Sequence, residues 1–193
     1  MPRIESEAFY KAAIKKHGLS PKGVCWLSYH HQQIRFDMLC KLLPNDLSNF
    51  TLSDAGCGFG DFYTYLSRHA NLPKRYIGID SMPEMCQIAK HKTQQTILQT
   101  DITNSEIFVS DYVICSGAMS MLTPFETVSF INNCYKASKR GFVFNILHGE
   151  DNSQTYNYLT KEKITVLARE LKVKNFYFKE GYLKDDITVG FFR

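Results

Sequence analysis

The chain has 193 residues, 44% of them apolar and 22% charged, with a net charge of +4. This is ordinary globular composition and excludes a disordered, collagenous or coiled-coil chain; at roughly 150 residues per domain the length predicts one globular unit. No apolar run is long enough to span a membrane, and the charged opening residues lack an apolar signal segment, so the expectation is a cytoplasmic protein.

Residues 1–24 carry +3 of the +4, from Arg3, Lys11, Lys15, Lys16 and Lys22 against Glu5 and Glu7. The remainder is nearly balanced, which argues against a nucleic-acid groove. The six cysteines form no C-x-x-C pair and lie at least 15 residues apart. They read as reduced thiols, and neither they nor His30-His31 has metal-site spacing.

Ser6 can cap a helix over 6–17, with Ala8, Ala12 and Ile14 at apolar positions and Gly18 as its stop. Ser28 can cap a second helix carrying Ile34, Phe36, Met38, Leu39 and Leu42, ended by Pro44. A strand over 51–54 opens into Gly56-Cys57-Gly58-Phe59-Gly60, and Phe62, Tyr65 and Leu66 mark one face of the helix that follows. Strand two covers 75–80, a helix covers 82–91 with Pro83 in its first turn, and a short strand covers 96–99. Strand four is 112–115. Thr123-Pro124-Phe125-Glu126 is a capping box for a helix to about Arg140, with Lys136, Lys139 and Arg140 at the negative dipole end and Gly141 as stop. Strand five spans 142–147, a helix spans 161–171, and strands at 174–178 and 187–192 form a terminal hairpin. This alternation predicts a parallel α/β sheet with helices on both faces, and ligands in such sheets bind beyond the carboxyl ends of the strands.

The chemistry-bearing signal is Asp54-Ala55-Gly56-Cys57-Gly58-Phe59-Gly60 between strand and helix. Alternate glycines let the backbone turn sharply and approach a ligand, and the helix offers free amides. The spacing is not the G-x-G-x-x-G of dinucleotide binders. Asp80 stands 20 residues after Gly60, at the end of strand two, where a carboxylate can accept both hydroxyls of a ribose. Together these predict a nucleoside-bearing ligand.

These motifs, with Tyr76-Ile77-Gly78-Ile79-Asp80, Asp101 and Asp111 to Gly117, resemble the class I S-adenosylmethionine (SAM) dependent methyltransferases over about residues 48–192. Trp26 to Phe36 and Ser116-Gly117 resemble a group of small stand-alone bacterial members. The resemblance implies a Rossmann-like doubly wound seven-stranded sheet, mostly parallel with an antiparallel C-terminal hairpin. Residues 1–46 would be a helical lid and 47–193 the SAM-binding unit. It implies that Gly56, Cys57, Gly58 and Gly60 surround the methionine part of SAM and that Asp54 orients that loop. Asp80, with Ser81, binds the ribose; Met82, Asp101 and Ile102 hold the adenine; Cys115 and Ser116 lie near the methyl donor. Gln32 or Arg35 reaches the carboxylate. His148 and Tyr29 are the named candidates for a catalytic base, with Tyr10, His30 and His31 beside them.

Each residue has a plainer reading: Asp54 and Asp80 as helix caps, Asp101 as a loop carboxylate, Arg35 as a surface ion pair. No Asn-Pro-Pro-Tyr-like segment follows strand four, and no acidic cluster suggests a magnesium site. A small-molecule acceptor is therefore expected. The alternatives are a non-catalytic protein that binds SAM or its demethylated product S-adenosylhomocysteine (SAH), an RNA methyltransferase and an NAD-dependent oxidoreductase.

Overall fold

The computed structural model describes residues 6–18, 20, 23, 28–150, 153 and 155–193. Trp26, Asp151 and the side chain of Tyr10 lie outside the described residues. The elements in chain order are α1 Ser6–His17, α2 Tyr29–Cys40, β1 Thr51–Ala55, α3 Asp61–Arg68, β2 Arg75–Asp80, α4 Pro83–Thr93, β3 Thr96–Gln99 and β4 Ser110–Ser116. They continue with α5 Pro124–Ala137, β5 Ser138–His148, β6 Tyr158–Leu159, α6 Lys161–Glu170, β7 Asn175–Lys179 and β8 Asp186–Phe192.

The sheet order is β3-β2-β1-β4-β5-β8-β7. The strands from β3 to β5 run parallel and the β7–β8 hairpin is antiparallel, β8 pairing with β5 from Gly141↔Phe192 to Leu147↔Asp186. This is the Rossmann-like sheet expected from the sequence. The two-residue β6 is an addition, pairing parallel with the end of β5 through Leu147↔Tyr158.

Helices cover both faces, and strand alternation divides the core accordingly. Phe142 and Phe144 of β5 join Ile131 and Cys134 of α5 and Ile164 of α6 on one face. Val143, one residue out of phase, joins Phe36 and Leu39 of α2 and Phe62 and Leu66 of α3 on the other. Burying a side chain of this size stabilises by about 1.5–3 kcal/mol, so Phe36 and Leu39 tie α2 to the sheet beside α3.

Several boundaries differ from expectation for local reasons. Ser28 caps α2, accepting from His31 N–H at 3.2 Å, but the helix ends at Cys40, short of Pro44. The capping box at Thr123 and Glu126 is present. Its helix stops at Ala137 rather than near Arg140, because Ser138 enters β5 opposite Ser110. Arg140 then lies over the Phe50 ring at 5.0 Å and faces Asp111 at 3.8 Å instead of closing a helix end. Gly141 is not a helix stop: a Cβ there would lie 2.5 Å from the Phe192 ring, so sheet packing excludes a side chain.

Candidate active site

A cavity of about 490 Å3 opens beyond the carboxyl ends of β1, β2 and β4, within the usual size of small-molecule sites. Its floor is the loop after β1. Gly56, Gly58 and Gly60 adopt φ of +75°, +53° and +75°, the left-handed region that costs glycine least. At Gly56 a Cβ would lie 2.2 Å from the Cβ of Ala118, so the loop and the turn after β4 approach more closely than a side chain allows. Gly56 and Cys57 both donate backbone N–H to Ile79 O, at 2.7 and 3.0 Å, locking the loop to β2.

Asp54 and Asp80 enter this cavity from adjacent strands. Asp54 is 2% exposed and accepts from the Tyr76 hydroxyl at 2.5 Å. Burial raises its carboxyl to about 7; the Tyr76 bond opposes that rise, and the nearby Asp80 and Asp61 reinforce it. It caps no helix, since α3 begins at Gly60 without a side-chain cap. Asp80 accepts from Gly58 N–H at 2.9 Å on one oxygen and from Met82 N–H at 3.0 Å on the other. Burial pushes it upward while those bonds hold it down. A carboxylate offers about four acceptor positions, so each oxygen retains capacity for a ligand hydroxyl. Between them these residues form a backbone cradle and a buried carboxylate pair, which fits a nucleoside carrying a cationic centre.

Cys57, Gly58, Ser81, Met82, Asp101, Ile102, Ser116 and Arg35 also line the cavity, as do His31 and Gln32 from α2. Asp101 is exposed and accepts from Thr103 N–H, Thr103 Oγ1 and Asn104 Nδ2 at 2.7–3.0 Å, an Asx-type turn at the rim. Arg35 is not at the surface. Its Nε donates to Asp186 in a pair of low exposure. Gln32 Nε2 donates to Asp61 at 3.1 Å, next to the start of α3. From α1, Ile14 packs on Phe59, Met82 and Met85.

Four expected site residues lie elsewhere. Cys115 is fully buried among the residues packed under α5, because β4 turns Ser116 to the cavity and Cys115 to the opposite face. Gly60 serves helix packing, its absent Cβ leaving room for Thr93 Cγ2 2.4 Å away. Tyr29 is 51% exposed and its hydroxyl accepts from Arg68 on the outer surface. His148 is off the cavity wall: its Nδ1 meets Leu159 O at 3.0 Å, while Leu147, one residue earlier, faces the cavity.

Behind Ser116 and Arg35 runs a polar chain whose other members, Asn145, Thr188, Tyr182 and Asp186, were not expected from the sequence. Ser116 Oγ donates to Asn145 Oδ1 at 2.8 Å, and Asn145 Nδ2 donates to Thr188 Oγ1 at 2.6 Å. The Tyr182 hydroxyl lies 2.8 Å from Thr188 Oγ1 and donates to Asp186 at 3.3 Å. Asp186 closes the chain on Arg35. Burial raises the Asp186 carboxyl despite the guanidinium beside it. The one sequence signal was Lys184-Asp185-Asp186, which alone reads as a hairpin turn.

The fold is Rossmann-like, with the cavity beyond the carboxyl ends of its strands. Residues 53–141 match a family model described as a methyltransferase domain. The magnesium protoporphyrin IX methyltransferase of Synechocystis PCC 6803, solved with bound SAM, superposes with a TM-score of 0.72 at 14% identity, covering 100% of this chain and 99% of that one. The methyltransferase SibL superposes at 0.70 with 14% identity, covering 95% and 61%. Human N-acetylserotonin methyltransferase in complex with SAM superposes at 0.63 with 14% identity, covering 82% and 51%. At such identities the likeness concerns the fold. No curated protein sequence is significantly similar to the chain. The methyltransferase-domain match spans a little under half of the chain, and the superposed structures share its Rossmann-like fold. Among the described residues no helix is long and apolar enough to cross a membrane.

Proposed function

We propose that this protein is a SAM-dependent methyltransferase of class I that methylates a small-molecule acceptor inside the cavity, with residues 1–46 as cover and residues 47–193 as the SAM-binding unit. The observation that carries the reading is the continuity of the cavity. Asp54, Asp80 and Met82 line the same cavity as Ser116, Tyr156, Tyr158 and Leu183. A donor and an acceptor can therefore share one cavity.

The assignments follow from position. Asp80 and Ser81 hold the ribose. Met82, Asp101 and Ile102 enclose the adenine. Gly56, Cys57 and Gly58 admit the methionine chain against bare backbone, with Asp54 beneath it. Gln32 and Arg35 face its carboxylate, Arg35 oriented by Asp186. Ser116 stands at the junction between donor and acceptor. When bound, SAM supplies a methyl group already activated by its sulfonium sulfur. The protein's task is therefore alignment and desolvation, and the absence of His148 and Tyr29 from the wall is consistent with that modest demand.

The test is SAH formation from SAM by the full chain with a panel of small hydroxyl, amine and thiol compounds, run beside tRNA and a protein lysate. Turnover confined to the small molecules supports the proposal. Turnover confined to RNA or protein contradicts it.

A further inference from the structure

The acceptor half of the cavity has a wall whose construction indicates what it receives; this inference rests on the reading of the cavity as the methyl-transfer site. Tyr156-Asn157-Tyr158 approaches from the segment between β5 and β6. Asn157 is 5% exposed. Its Nδ2 donates to Thr127 Oγ1 at 2.7 Å and its backbone N–H to Ser120 O at 2.8 Å. Ser153 Oγ accepts from Thr155 N–H at 3.0 Å and from Tyr156 N–H at 2.9 Å, and Tyr158 lies in register with Leu147. Residues two apart in an extended chain share a face. Fastening Asn157 inward against α5 therefore turns both tyrosines toward the cavity, and both line it.

Phe130, Leu147 and Leu183 line the same cavity and add apolar surface. The buried charges nearby, Arg35 and Asp186, are paired with each other. Lys184 and Asp185 at the hairpin turn are exposed and of opposite sign. Neither phenol has a hydrogen-bond partner among the described residues. A ligand here meets aromatic and aliphatic surface, two phenolic hydroxyls and no uncompensated buried charge. An anionic ligand would lose its water without gaining a dedicated cation, whereas a planar ring gains contact with tyrosine faces or edges.

We propose that the methyl acceptor is a neutral, planar aromatic molecule with a polar handle, seated against Tyr156 and Tyr158. Phosphorylated compounds are disfavoured at this wall. The experiment is calorimetric titration of the full chain, saturated with SAH, using 1-naphthol and 1-naphthyl phosphate as matched probes. The expected result is naphthol binding at least about tenfold tighter than the phosphate, about 1.4 kcal/mol. Tyr156→Ala and Tyr158→Leu should each weaken naphthol at least about fivefold while SAH affinity stays within about twofold. Tyr156 is partly exposed, so its truncation leaves the fold intact, and the SAH titration verifies this in each variant. Equal or tighter binding of the phosphate, no binding of naphthol, or variants that bind naphthol like the wild type would overturn the proposal. A wild-type chain that binds no SAH would instead refute the reading of the cavity, so the two failures are distinguishable.

Discussion

Asp54→Asn exchanges a buried carboxyl for an uncharged group of nearly the same shape. In the folded protein burial raises this carboxyl from an ordinary 3.8 to about 7. About three pH units at 1.36 kcal/mol each amount to roughly 4 kcal/mol of differential stability. The folded value lies above the unfolded one, so the native state holds the proton more tightly. The contribution of Asp54 is fully present below about pH 4 and is lost as pH rises through about 7. Asp80 and Asp186 are also raised by burial and act with the same sign, but they are common to both proteins. The difference between the two pH profiles therefore reports Asp54 together with its electrostatic coupling to Asp80 and Asp61. Urea unfolding should find the Asn variant close to wild type near pH 4 and more stable by a few kcal/mol, of order 4 at most, at pH 8. Its affinity for SAM should fall, because a carboxylate beneath a cationic sulfur has been lost. Parallel stability profiles for the two proteins from pH 4 to 8 would refute the reasoning, since they would mean that Asp54 titrates alike folded and unfolded.

Other substitutions test separate parts of the site. Arg35→Ala leaves Asp186 buried without its cation and should cost about 3–5 kcal/mol in urea unfolding; adding Asp186→Asn should recover much of it. Gly60→Ala combines a φ of +75° with a Cβ 2.4 Å from Thr93 Cγ2. It should destabilise by about 2–4 kcal/mol, read as a lowered thermal midpoint. His148→Ala should leave the pH profile of SAH formation unchanged, because the imidazole faces Leu159 O and not the cavity; a lost alkaline or acidic limb would return His148 to the mechanism.

What was legible in the sequence was whatever a single stretch of chain encodes. The turn at Gly56-Cys57-Gly58 needs left-handed backbone, and Asp80 ends a strand of five buried residues; both are local facts and both lie on the cavity. Orientation within a strand was less accessible. Cys115 and Ser116 look equivalent after strand four, as do Leu147 and His148 after strand five, and one residue of phase sends each pair to opposite faces. The 3-residue error at the end of α5 has a related cause: Lys139 and Arg140 suit a helix end by charge, but Ser138 pairs with Ser110, 28 residues earlier. The Arg35–Asp186 pair joins residues 151 apart, and Asn157 is anchored to Thr127 on another element. Neither contact has a local signature, which is why neither was readable in the sequence.

We place SAM in the cavity with its ribose on Asp80. The direct measurement is calorimetric titration of SAM into wild type and Asp80→Ala, each first checked for cooperative thermal unfolding. With the ribose on Asp80, the wild type should bind SAM at one site per chain and the folded variant at least about 10-fold more weakly, since one or two hydrogen bonds to a charged group are lost at about 1.5–3 kcal/mol each. Equal affinity in both proteins, or no binding to the wild type, would contradict it.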